Sequence, residues 1–249
     1  MEANGRTIIM NDEFDEQDTA KYIKPFMFIK GFAYGKELKQ TQVALSIARK
    51  LHDGQYRKDG TPYISHPLKV CTTLISYGVD DDVTLAAALL HDVLEDCGDK
   101  LPLGGKELVS EYHLSQEVLD IIILLTKESG LNDYELGVYF KKIEQNPKAA
   151  LIKLSDRLHN SSTLYNLSNE KMMKYLRETE MFLLPMASYC KKYYPEYSNA
   201  FNILKSNIEA LNSSMSMLIK KLAPQKAYEY ADEKNGSPKA EPESERKQP

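Results

Sequence analysis

The chain is short of several features that would point to common protein classes. It has three cysteines, Cys71, Cys97 and Cys190, none in a Cys-x-x-Cys pair. That argues against a disulfide framework or a thiolate zinc site and fits a reducing, cytoplasmic setting. No apolar run approaches the roughly 20 residues of a membrane span; Ile121–Leu125 is typical. The start, MEANGRTIIMNDEFDEQ, lacks the basic flank and apolar core of a secretory signal. Positive charge is not in excess: the formal net charge is −4, so there is no general footprint for nucleic acid or an anionic membrane. A phosphorylated substrate would have to be attracted by a local patch or a metal. No GxGxxG or Walker loop, no alternating strand pair and no internal repeat is found.

What is present is helical periodicity. Apolar positions 43, 44, 47, 48 and 51 mark one helix face, stopped by Gly54. A loop rich in Gly, Pro and basic residues, GQYRKDGTPYISHP (54–67), follows, and Pro67 is placed to open the next helix with His66 at its cap. Further helices are expected at about 67–77, 82–97, 105–113, 115–127, 133–145, 147–164, 169–193 and 196–221, with Asp81 as a cap and Asn146-Pro147 as a break. The expectation is an all-α chain in three parts. Residues 1–35 form an N-terminal extension, partly disordered, residues 36–222 one helical bundle, and residues 223–249 a disordered charged tail. Within the extension, PFMFIKGFAYG is apolar and aromatic and can dock on the body, on a second copy or on a protein partner.

The stretch ALLHDVLEDC (88–97) carries the chemistry. On a helix, His91 lies over Glu95 and Asp92 over Asp96, so one imidazole and three carboxylates share a strip at the end of the core-forming run LAAALL. Two other segments match it in character: His66 at the end of the basic loop, and ALIKLSDRLHN (150–160), where Asp156 and Asn160 lie four apart. His66, His91, Asp92 and Asp156 make a mixed N/O set suited to Mn²⁺, Fe²⁺ or Zn²⁺. Glu95 and Asp96 could handle the protons of an attacking water, and Arg57 and Lys58 could hold phosphate or stack on a base. Each group also has a plainer role: a core histidine, a solvated acidic face, a surface ion pair at Asp156-Arg157. His52-Asp53 repeats the His-Asp pair but runs at once into Gly54, so no carboxylate follows one turn later.

Four ordered stretches, HDGQYRKDGTPYISHP, LLHDVLEDC, LIKLSDRLHN and RETEMFLLPMA, resemble the hydrolase domain of RelA/SpoT-type alarmone enzymes, within the HD phosphohydrolase superfamily, over residues 38–195. The resemblance implies a single helical HD-domain bundle that binds one Mn²⁺ through His66, His91, Asp92 and Asp156. Glu95 and Asp96 would activate water and assist the leaving group, and Arg57, Lys58 and Asn160 would contact the nucleotide; apart from the resemblance, a net-acidic chain needs focused positive charge for such a substrate, which Lys153 or Arg157 could add. The implied reaction removes the 3′-pyrophosphate from ppGpp or pppGpp, in a small, stand-alone hydrolase. Asp59 and Ser161-Ser162 depart from the family's Ser and Met-Arg near its base-binding side, leaving guanine or adenine open. An HD phosphohydrolase acting on another nucleotide, NADPH included, is the alternative, and an antidote to a toxic alarmone synthetase is a role either could have. A nucleotide-sequestering binding protein is the reading from outside the enzyme class; Glu95 and Asp96 together argue against it.

Overall fold

A computed structural model describes residues 16–164 and 167–222 of the 249. Among them the regular structure is helical; the only extended pairing is an isolated bridge between Tyr56 and Pro62. The expected loose ends, residues 1–15 and 223–249, lie outside the described residues. No described helix is long and apolar enough to cross a membrane. The chain divides into two units, 1–212 and 213–249. The first holds everything considered below; the described part of the second is the last turns of the C-terminal helix.

The centre of the first unit is helix α4 (Asp82–Leu90), packed on by α2 (Lys39–Leu51), α3 (Ser65–Ser76), α7 (Gln116–Leu125) and α9 (Pro147–Ser161). Leu85 through Leu90 are all buried, so α4 is apolar on every side, as a helix surrounded by others must be. Burying each large leucine contributes about 1.5–3 kcal/mol. The helix ends are satisfied locally and across elements. Asp81 caps α4 by accepting from the Thr84 N–H at 2.8 Å. Asp82, in the first turn of α4, accepts the Gln40 and Thr41 N–H groups at 3.0 and 2.8 Å, which closes the start of α2, where Leu38 offers no side-chain cap. Asn146 caps α9 just ahead of Pro147.

Three sequence expectations need correction. The helix expected over 82–97 stops at Leu90 and restarts as the four-residue α5 (Val93–Asp96). Asp92, at φ −99° and ψ −4°, sits in the bridge region, where the Glu95 N–H already reaches the Asp92 carbonyl at 3.1 Å. Helix α3 opens at Ser65, so His66 lies inside its first turn instead of at its cap. The helix expected over 169–193 is α10 (Asn169–Glu178), a π turn (Thr179–Leu183) and α11 (Leu184–Tyr193).

The other described helices of the body are α6 (Glu107–Ser110), four residues where about 105–113 was expected, α8 (Asp133–Ile143) and α12 (Ser198–Leu222), with short 3-10 turns at Gly98–Lys100 and Pro195–Tyr197. The N-terminal helix α1 (Glu16–Gly35) docks PFMFIKGFAYG on the body, against α2 and α3, with Phe26, Ile29 and Ala33 buried. Because Phe26 is 1% exposed, Phe26→Ala is expected to cost about 3–5 kcal/mol in denaturant unfolding, as core Phe truncations do. A change under 1 kcal/mol would show that α1 is not part of the cooperative fold.

Candidate metal and nucleotide site

The break after α4 is what builds the site. Leu90 is the last residue of the buried apolar run of α4, and the turn that follows aims His91 and Asp92 toward His66 on α3 and Asp156 on α9. His66, His91 and Asp92 offer ligand atoms that all lie within 4.8 Å of one another. His66 Nε2 is 3.2 Å from Asp92 Oδ2 and 3.3 Å from Asp156 Oδ1; His91 Nε2 is 3.1 Å from Asp92 Oδ1 and 3.9 Å from Asp156 Oδ1. The structure therefore brings all four expected ligands together.

The donors are prepared for a cation. His91 Nδ1–H donates to the Ala88 carbonyl at 2.9 Å, which turns Nε2 toward the carboxylates. That Nε2 is buried without a hydrogen-bond partner, a costly state for a polar atom unless something binds it. Burial disfavours charge on His91, yet Asp92 and Asp156 outweigh it and raise its pKa to about 9. Burial works the other way on the carboxyls. The Asp92 carboxyl is nevertheless held well below its usual range by His91 and His66, and the Asp156 carboxyl by Lys153 and the two imidazoles. Two buried carboxylates held ionised beside two imidazole nitrogens are a donor set that fits a divalent ion.

Supporting side chains surround the four. Tyr63 O–H donates to Asp92 Oδ2 at 2.8 Å, and burial together with Asp92 and Asp96 raises its pKa, so it stays a donor. Asn160 Nδ2 donates to Asp156 Oδ1 at 2.5 Å while its Oδ1 accepts from Arg57 Nη2 at 3.2 Å, joining the basic loop to the ligand cluster. Lys153 Nζ lies 3.4 Å from Asp156 Oδ2. His159, which the sequence reading passed over, places its Nδ1 2.6 Å from His66 Nδ1. An N···N contact that short holds one proton. If His66 ligates through Nε2, its proton is on Nδ1 and His159 is the acceptor, the part a carboxylate or carbonyl commonly plays behind a metal-bound histidine. Burial, His66 and Arg57 lower the His159 pKa to about 3, which keeps it neutral for that role. The clue was present in the sequence: His159 is three residues after Asp156 and so on the same helix face. His52 is buried beneath Tyr63, its ring 4.8 Å away, and its Nδ1 lies 2.8 Å from Gln55 Oε1; it supports the site from behind.

His66, Asp92 and Asp156 line a cavity of about 520 Å³, with His91 buried behind them, and the lining also includes Arg57, Lys58, Glu95, Asp96, Lys127, Lys153, Arg157, Asn160 and Glu178. Every expected catalytic and substrate-contacting residue thus reaches one space. Glu95 and Asp96 stand at its open side. Glu95 Oε1 accepts the Lys127 N–H at 2.6 Å, and partial burial raises its pKa. Gly60, at φ +78°, closes the tight loop that presents Arg57 and Lys58. Asp59 is spent on the same turn, accepting from the Thr61 N–H at 3.0 Å and its hydroxyl at 2.6 Å.

A family model for the HD domain matches residues 44–188. The chain is 35% identical to a probable GTP pyrophosphokinase of Mycobacterium leprae (strain TN) over 169 residues, 66% of this chain and 21% of that protein. It is 31% identical to the bifunctional (p)ppGpp synthase/hydrolase SpoT of Escherichia coli (strain K12) over 201 residues, 75% of this chain and 28% of that one. It is 33% identical to a guanosine-3′,5′-bis(diphosphate) 3′-pyrophosphohydrolase of Borreliella burgdorferi over 159 residues, 61% and 23% of the two chains. The matched region thus spans about a fifth to just over a quarter of these curated relatives. A solved structure, reported as a metazoan ortholog of SpoT that hydrolyzes ppGpp and plays a role in starvation responses, shares the fold. Its TM-score is 0.54 at 20% identity, covering 71% of this chain and 96% of that one.

The site makes a separable prediction about its histidines. His91→Ala should abolish Mn²⁺ binding in calorimetric titration, while His159→Ala should weaken it about 10–100-fold, the usual effect of losing an outer-shell partner. Unchanged affinity in His159→Ala would remove its assigned role.

Proposed function

The chain belongs to the HD domain family, and from that premise we propose that it is a divalent-metal-dependent hydrolase that removes the 3′-pyrophosphate from ppGpp and pppGpp. The products are GDP or GTP and pyrophosphate. The observation that carries the reading is the convergence of His66, His91, Asp92 and Asp156, three of which, His66, Asp92 and Asp156, line a cavity that also holds Glu95, Asp96 and several cations, with His91 buried just behind them. The helical unit of residues 36–222 would be the hydrolase domain. The names of the SpoT-type relatives point to the same substrate. The mixed imidazole and carboxylate set suits Mn²⁺, Fe²⁺ or Zn²⁺, and Mn²⁺ is proposed on the resemblance to the alarmone hydrolase domain.

When bound, such an ion polarises a phosphoryl oxygen and makes water a stronger nucleophile near neutral pH. The chain's own side chains supply the rest. Glu95 has Oε1 occupied by the Lys127 N–H, so Oε2 is the atom left to take the proton of the attacking water. Attack on the phosphorus attached to the ribose 3′-oxygen breaks that P–O bond, and Asp96 is the group assigned to return a proton to the oxygen. Arg57, Lys58 and Lys153 counter the charge of the phosphates, a local concentration of positive charge in a chain of net charge −4. Asn160 fixes the distance between Arg57 and Asp156 by bonding to both.

The base is a separate matter from the chemistry. Asp59 folds back on Thr61, and Ser162 donates to the His159 carbonyl at 2.6 Å, so both departures from the family pattern are taken up by local backbone. Cleavage of an adenine alarmone would accordingly be compatible with the mechanism.

Two measurements test the proposal. Incubation with Mn²⁺ and a nucleotide panel should release pyrophosphate and GDP from ppGpp and leave GTP and ATP largely intact. Inorganic phosphate from GTP at a comparable rate would instead make the protein a general nucleotidase. In the second, Glu95→Gln should keep metal and nucleotide binding and lose about 10²–10⁴-fold in kcat, whereas Arg57→Ala should act mainly on KM. Loss of metal from Glu95→Gln would move Glu95 into the coordination sphere.

A further inference from the structure

Glu95 is oriented from a distance. It sits on α5, a helix of four residues that cannot hold itself rigid. One oxygen of its carboxylate is fixed by the backbone N–H of Lys127, 32 positions along the chain, at 2.6 Å. That N–H belongs to the stretch leaving α7, which has turned extended at Thr126 (φ −62°, ψ 120°) and has no helical ladder of its own. The side chain of the same lysine ties the stretch down. Lys127 Nζ lies 3.4 Å from Glu178 Oε2 at the end of α10. Glu178 in turn pairs through Oε1 with Arg157 Nη2.

Arg157 is itself locked. It is 4% exposed, its guanidinium lies 3.9 Å from the Tyr175 ring, and Nη1 donates to the Tyr175 carbonyl at 3.3 Å and the Thr179 hydroxyl at 3.2 Å. Glu178 is the residue at which α10 passes into the π turn, a departure from regular helix often found at functional sites. Arg157 also follows Asp156 directly on α9. The ion pairs thus run from the helix that carries a candidate ligand, through Glu178, to the backbone group that orients the candidate base.

We propose that Arg157, Glu178 and Lys127 form a positioning brace that holds the Lys127 N–H on Glu95 and thereby aims the free oxygen of Glu95 into the cavity. The three residues act through Glu95, and the proposal rests on the hydrolase reading for its consequence but not for its geometry. A carboxylate fixed by one hydrogen bond loses productive orientation when the donor drifts, and small misplacements of a reacting group reduce turnover more than binding.

The brace has a readout that needs no substrate. In the full-length protein, the Lys127 amide should be protected in hydrogen exchange, and Glu178→Gln should accelerate its exchange at least tenfold. Lys127→Met, which keeps the amide and removes the ammonium, should do the same if Glu178→Gln fails to fold. In turnover, Glu178→Gln should lower kcat about tenfold with KM and Mn²⁺ affinity unchanged, Lys127→Arg should retain activity, and Glu178→Gln should cost nothing further in a Glu95→Gln background. Unchanged exchange at Lys127 in both variants, or additive losses in the double variant, would overturn the brace. Accelerated exchange in a protein whose wild type cleaves no alarmone would support the brace and defeat the hydrolase reading.

Discussion

Desolvated negative charge is the constraint around which this structure is arranged. Asp92 and Asp156 keep side-chain exposures of 17% and 11% and stand within one cluster with two imidazoles that are 2% and 4% exposed. Ionised carboxylates in such surroundings are expensive unless paired and hydrogen-bonded. The fold answers with Tyr63 on Asp92 and with Asn160 and Lys153 on Asp156. The raised His91 pKa shows how strongly the site draws positive charge. The proton that His91 takes up in the ion's absence is one a metal must displace, because a ligating imidazole is neutral.

That constraint explains the division of labour among the helices. The buried apolar run Leu85–Leu90 of α4 delivers His91 and Asp92 to one place, and the helix is interrupted there. Helix α9 carries Lys153, Asp156, Arg157, His159 and Asn160, at spacings of three and four that keep most of them on neighbouring faces. Lys153 and Asn160 both bond Asp156, His159 bonds His66, and Arg157 bonds Glu178. The basic loop meets this helix through Arg57 and Asn160. A substrate entering the cavity would therefore contact side chains already linked to the ligand cluster.

Much of this was legible in the sequence, and the limits are instructive. Periodicity marked the helices because each buries an apolar stripe, and the apolar run before His91 marked the core. The candidate ligands His91 and Asp92 stood out because an imidazole and a carboxylate at the end of such a run have few structural uses, while His66 and Asp156 stood out only as members of a set. The break at His91-Asp92 was not legible, since His91 keeps helical dihedrals, Asp92 departs from them only as far as the bridge region, and nothing like proline or glycine announces the stop. Nor was the π turn, which is accommodated by packing. His159 could have been found from its spacing to Asp156. The link from Glu95 to Lys127 could not, because it joins a backbone amide to a side chain 32 residues away and leaves no pattern in composition or period.

The central claim is that one divalent ion sits among His66, His91, Asp92 and Asp156. Crystals grown with Mn²⁺ and measured at an energy where manganese scatters anomalously test it most directly. The account predicts a single strong anomalous peak per chain, bonded to Nε2 of both histidines and to oxygens of both aspartates. A peak elsewhere, or none at this cluster under saturating Mn²⁺, would contradict it.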